Sequence, residues 1–186
     1  MGQVPAIAHE TFTLYESHAI LSYLACAFPG VPDHWYPADL YQRAKINSVL
    51  DWHHTNLRRG AATLVRINVL APALGLPSNP EGAKEAEEVL NASLSVIESY
   101  WLKDDAKFLL GYSQPSIADL SLACEITQLE LLDDKDRDRI LGPRIKIQQW
   151  IENVKNATAP HFEEVHGNLY KAKEILRTKA ASAANL

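Results

Sequence analysis

Cysteine is nearly absent from this chain. Only Cys26 and Cys124 occur among its 186 residues. Two distant cysteines argue against a disulfide framework or a cysteine-built zinc site and fit reduced thiols. Long apolar runs are missing too. No stretch reaches the roughly 18–20 apolar residues that a bilayer-crossing helix needs. Residues 1–25 lack the basic start and apolar block of a secretory signal. The final Ala184-Asn185-Leu186 is only distantly like the Ser-Lys-Leu peroxisomal address. An excess of positive charge is also lacking: 18 Lys and Arg stand against 23 Asp and Glu, net −5. Nucleic acid and membranes are therefore not expected partners. A reduced, cytoplasmic compartment is the expectation.

What is present is ordinary globular material, 47% hydrophobic and 22% charged, enough to bury a sizeable core. Residues 4–8 and 12–15 are short β-prone runs split by Glu10 and Thr11, which predicts a hairpin. Ser17 is the expected N-cap of a helix, with Ile20, Tyr23, Leu24 and Ala27 along one face. Residues 29–38 hold three prolines and a glycine and suit a linker. From residue 39 the pattern is helical. Ile46, Val49, Leu50, His53, Leu57, Ala61 and Leu64 form the apolar stripe of one long helix. A second helix runs from about 81 to 101. A third, opening at Ser116, is apolar nearly all round and belongs at the centre of a bundle. Asp133 to Arg139 alternates in charge sign and predicts a solvated helix end and loop. Helices near 144–157 and 161–179 follow, and 180–186 reads as a fraying tail. The predicted fold is mostly α. Its domains are 1–28 (hairpin plus helix), the linker 29–38, an all-α unit over 39–179, and the tail 180–186.

Two strings carry the chemistry. In Gln3-Val4-Pro5-Ala6-Ile7, a proline within a strand removes a ladder donor and belongs at an edge or a special turn. In Glu16-Ser17-His18-Ala19-Ile20, a helix start offers unbonded amides to a carboxylate, and Glu16 beside it can pair with an ammonium. Together they suit an α-amino acid head group. Each has a bland alternative, an edge-strand proline and a simple helix cap. Ser116-Ile117-Ala118-Asp119 fits a capping box, with Asp119 reaching back to the Ser116 N–H. Asn47, Asp51, His54 and Arg58 share a polar helix face. His53 and His54 are adjacent and should face different sides, so no metal site is expected. Trp101, Tyr112, Trp150 and Phe162 are candidates for an apolar pocket, though core packing suits most of them better.

The order of these motifs resembles a theta-class glutathione transferase, plant-like in flavour. Trp52-His53-His54-Thr55-Asn56-Leu57-Arg58-Arg59 resembles the first long helix of that class's C-terminal domain. Phe108-Leu109-Leu110-Gly111 and Pro115-Ser116-Ile117-Ala118-Asp119-Leu120 are similar to the segment around its central helix. The resemblance spans about residues 4–172. It implies an all-α C-terminal bundle preceded by a truncated thioredoxin-like α/β fragment. It also implies glutathione as substrate rather than a cofactor, small apolar electrophiles or organic peroxides as co-substrates, and a possible homodimer. By position, Val4 would bind the cysteinyl amide and Pro5 would be the family's cis-proline. Glu16 and Ser17 would hold the γ-glutamyl group. Gln3 stands where a lysine often meets the glycyl carboxylate, a loss of charge that weakens binding by about 1 kcal/mol. Arg58 would sit near the cleft and favour an anionic thiolate or leaving group. The thiolate-activating serine of the family lies upstream of these motifs, and no residue here takes its place. The expectation is therefore a transferase by descent with feeble or no turnover in this form. The alternative is a non-catalytic helical module that dimerises or carries ligands.

Overall fold

The computed structural model describes Gly2 and residues 4–184, with side chains as far as Thr178. The N-terminal hairpin forms where the alternation predicts it. Strand β1 (Ala6–His9) pairs antiparallel with β2 (Phe12–Tyr15), Ala6 opposite Tyr15 and His9 opposite Phe12. The chain reverses through Glu10 at φ 54°. Helix α1 (Ser17–Ala27) follows at once and buries Ile20. Its N-cap is Glu16, at φ 67°, and no side chain caps it. Ser17 is thus the first helical residue and not the cap expected from its type.

The segment joining α1 to α2 (Leu40–Thr55) is pinned at several points. His34 Nδ1–H donates to the Pro115 carbonyl (2.6 Å) and Tyr36 OH donates to Asn47 Oδ1 (2.9 Å). Asp39 caps α2 by accepting from the Gln42 N–H at 2.8 Å. The single long helix expected here is in fact two. Asn56 leaves helical geometry at φ −119°, ψ −85°, and α3 (Leu57–Val65) starts beyond it. The Asn56 side-chain amide donates to the Trp52 carbonyl at 2.9 Å. Such local bonding by asparagine competes with the helix ladder. The apolar stripe survives the break: Ile46, Val49, Leu50, His53, Leu57, Ala61 and Leu64 are all buried.

A π-helical stretch (Arg66–Leu70) and the single turn α4 (Ala71–Ala73) lead to α5 (Pro80–Val96), capped by Asn79 with proline at its first turn. Proline fits there because that amide has no helical partner anyway. Helix α6 (Ile117–Thr127) is the hub. Ile117, Ala118, Leu122, Ala123 and Ile126 are at most 2% exposed. The alternating charges after it form a helix of their own, α7 (Asp134–Leu141), capped by Asp133 through the Asp136 N–H. That corrects the expected loop. Ile140 anchors α7 in the core, and Arg139 pairs with Glu87 of α5. Helices α8 (Ile145–Ala157) and α9 (His161–Ala184) complete the bundle, and α9 continues past the expected start of the tail. Asn185 and Leu186 lie outside the described residues. Trp101, Trp150 and Phe162 are buried in the core, as the packing reading expected, with Tyr112 half-buried beside them. No helix among the described residues is long and apolar enough to cross a membrane.

Candidate functional site

Where α1 meets α6, a cavity of about 500 Å³ opens beside the hairpin. Pro5, Ser17, Ile20 and Leu21 line one side. His53 and Arg58, from α2 and α3, and the α6 residues Leu120, Ser121, Cys124 and Glu125 line the other. The two chemical strings of the N-terminus therefore converge: Pro5 and Ser17 share one wall. The Val4–Pro5 peptide bond is cis, and Val4 stands 94% exposed. Because no side chain caps α1, the amides of its first turn keep their donor capacity for a ligand. Glu16 is exposed at the same helix tip. Gln3 lies outside the described residues. A larger cavity of about 710 Å³, lined by Asn68, Pro72, Lys84, Glu88 and others, contains none of the nominated residues.

A polar chain runs through the α6 side of the cavity. Arg58 Nη1–H donates to Glu125 Oε2 at 2.8 Å, and His53 Nε2–H donates to the same oxygen at 3.2 Å. A neutral imidazole that donates through Nε2 presents a lone pair at Nδ1. That Nδ1 lies 3.1 Å from His18 Nε2, which in turn lies 2.8 Å from Ser121 Oγ. Glu125 is buried, and burial alone would raise its carboxyl. Hydrogen bonds from His53 and Arg58, with the charge of the Arg58 guanidinium, outweigh this and hold it below the usual carboxylate range. His18 is lowered to about 4, first by burial and then by His54 and His53 beside it. It is therefore uncharged at neutral pH.

Adjacent positions on a helix did not keep His53 and His54 apart. Their ring centroids are 5.4 Å from each other, and the His18 ring of α1 contacts both, at 5.1 and 4.2 Å. The convergence depends on a third residue from another helix, which helical spacing alone does not show. Arg58 lines the cavity, and its guanidinium is engaged by Glu125. Ser116 and Asp119 form the expected capping box, away from the cavity lining. His18, Ser121 and Glu125 were not singled out from sequence. One signal was available: a glutamate in a helix otherwise apolar nearly all round must have a partner.

No protein-family model matches the chain. Over 174 residues it is 64% identical to glutathione S-transferase T1 of Arabidopsis thaliana, an alignment covering 94% of this chain and 71% of that protein. The chain belongs to the theta class of glutathione transferases. Glutathione S-transferase T3 of the same plant is 62% identical over 174 residues, which cover 94% of this chain but 30% of that longer protein. Among solved structures, apo human glutathione-S-transferase T1-1 superposes with a TM-score of 0.80 at 34% identity, over 92% of this chain and 70% of that one. Human theta-2, solved with glutathione and an unknown ligand, gives 0.83 at 30% identity, over 96% and 71%. The solved theta-class structures combine a thioredoxin-like unit with a helical domain, and this chain's two-stranded sheet and helical bundle superpose on that fold. Glutathione transferases use glutathione as a substrate and need no cofactor.

Proposed function

We propose that the cavity between α1 and α6 is a glutathione site and that the protein conjugates glutathione to small apolar electrophiles or reduces organic peroxides with it. The observation that carries this reading is the convergence of Pro5 and Ser17 on one wall, with the first turn of α1 uncapped beside them. The tripeptide would lie extended along the exposed Val4 backbone. Its γ-glutamyl carboxylate would meet the Ser17 hydroxyl and the first amides of α1, where partial positive charge collects. Glu16 would face the ammonium. Arg58 would add positive potential near the sulfur, and its bond to Glu125 fixes where that potential sits. Human theta-2, a relative by fold and sequence, has been solved with glutathione bound.

Isothermal titration with glutathione tests the reading directly. Saturable binding at millimolar ligand is expected, with a matching rise in melting temperature. Hydrogen bonds to charged groups are worth about 1.5–3 kcal/mol. Ser17→Ala should therefore weaken glutathione about tenfold or more, since each 1.4 kcal/mol is a factor of ten. Turnover with 1-chloro-2,4-dinitrobenzene or cumene hydroperoxide should exceed a heat-killed control. Absence of any calorimetric or thermal response to millimolar glutathione would refute the site.

Two further properties belong to the same proposal. Leu40, Tyr41 and Tyr100 expose 75, 83 and 69% of their surface, which supports a homodimer. The two free thiols, Cys26 and Cys124, suit a reducing cytoplasm.

A further inference from the structure

We propose that His18, His53 and His54 form a binding site for a divalent transition-metal ion of the zinc type, held by three imidazole nitrogens at the edge of the cavity. Each residue offers one ring nitrogen, and the three lie within 4.8 Å of one another. The best-placed pair is His53 Nδ1 and His18 Nε2, 3.1 Å apart. Two nitrogens bound tetrahedrally at about 2.0–2.1 Å from zinc stand about 3.3 Å apart. That pair therefore needs almost no movement. His54 is exposed at the cluster's rim, where its ring can turn to complete the set and where an ion can enter.

The surroundings also have the form that a histidine metal site needs. A ligating imidazole usually donates its other N–H to a carboxylate or carbonyl, which fixes the tautomer and raises ligand basicity. His53 does this through Nε2–H to Glu125 Oε2, and Arg58 donates to the same oxygen. The lone pair of His53 is thereby aimed at His18. Ser121 Oγ lies 2.8 Å from His18 Nε2 and can hold a water in the fourth position, an open arrangement like that of three-histidine zinc sites. Three nitrogen donors suit Zn²⁺, Cu²⁺ or Ni²⁺ better than Mg²⁺ or Ca²⁺, which prefer oxygen. This inference does not depend on glutathione binding.

The experiment is a titration of the chelator-treated protein in thiol-free buffer. Zn²⁺ is followed by calorimetry and Co²⁺ by visible absorption. One ion per chain at micromolar concentration, with the intense d–d bands of four-coordinate Co²⁺, is the expected result. His18→Gln and His54→Gln should each abolish the bands and weaken Zn²⁺ at least about tenfold, and Glu125→Gln, which leaves all three ligands in place, about 10–100-fold. His54 is exposed, so its replacement leaves the fold intact, and circular dichroism verifies this for each variant. Cys26→Ser/Cys124→Ser should bind as the parent does. No uptake, uptake that survives both histidine variants, or uptake lost with the cysteines would overturn the site.

Discussion

Asp119→Ala should lower stability by about 3–5 kcal/mol, because it removes the acceptor from four buried donors at once, each costing about 1–3 kcal/mol with incomplete additivity. The side chain has no solvent exposure. Its Oδ1 accepts from the Leu109 N–H at 2.9 Å and from the Trp150 indole N–H at 2.8 Å. Its Oδ2 accepts from the Ser116 N–H at 2.8 Å and the Ser116 hydroxyl at 3.0 Å. One carboxylate thus joins the start of α6, the turn at Leu109 and the face of α8. An ordinary capping box ties only its own helix and is worth about 1 kcal/mol. Burial pushes the Asp119 carboxyl upward while the four hydrogen bonds favour its anion. Asp119→Asn separates shape from charge: its carbonyl can still accept at Oδ1, but its NH₂ would face the donors of Ser116. It should therefore fall between the parent and the alanine variant. For a chain of this length each kcal/mol moves the melting point by about 2–4 °C, so the alanine variant should melt about 10 °C lower. A melting curve within about 2 °C of the parent would show that these bonds contribute little net stability.

The same residue shows how far sequence reached. Ser116 and Asp119 at helix spacing disclosed the cap, but the indole of Trp150, from a distant helix, did not announce itself. Helices α5, α6, α8 and α9 were legible because apolar periodicity, caps and prolines agree there. The break at Asn56 carries no glycine or proline to mark it. It depends on an asparagine side chain taking a backbone carbonyl. Helix α7 was misread because its alternating charges look solvated, while a single buried Ile140 and the Asp133 cap decide the matter. At the cavity, Pro5, Ser17 and Arg58 were nominated and do line it. The polar chain behind them joins α1, α2, α3 and α6. Only tertiary packing brings those four together, so local spacing had no means of predicting it. A histidine in an apolar stripe and a glutamate in an apolar helix were the visible halves of that chain.

The position of Arg58 depends on a close approach two residues further along α3. A Cβ on Gly60 would lie 2.5 Å from the Leu90 backbone nitrogen and 2.7 Å from its Cα. Both are helix backbone of α5 and cannot turn aside as a flexible side chain would. In an ordinary helix interior, replacing glycine by alanine stabilises by about 0.5–1 kcal/mol. Overpacking a core costs about 1–3 kcal/mol, so at this crossing the clash wins and Gly60→Ala should be net destabilising. Gly60→Val, with two more methyl groups at the same contact, should lose about 3 kcal/mol or more. Gly167 in α9 provides the contrast: nothing lies within 4 Å of a Cβ placed there. Gly167→Ala should raise stability by about 0.5–1 kcal/mol. Opposite signs at two helical glycines are the expected result by urea denaturation. Equal signs would show that propensity, not the α3–α5 contact, governs both. Prying α3 from α5 should also displace Arg58 from Glu125. Gly60→Val should therefore lose glutathione affinity even at temperatures where it is fully folded, while Gly167→Ala keeps it.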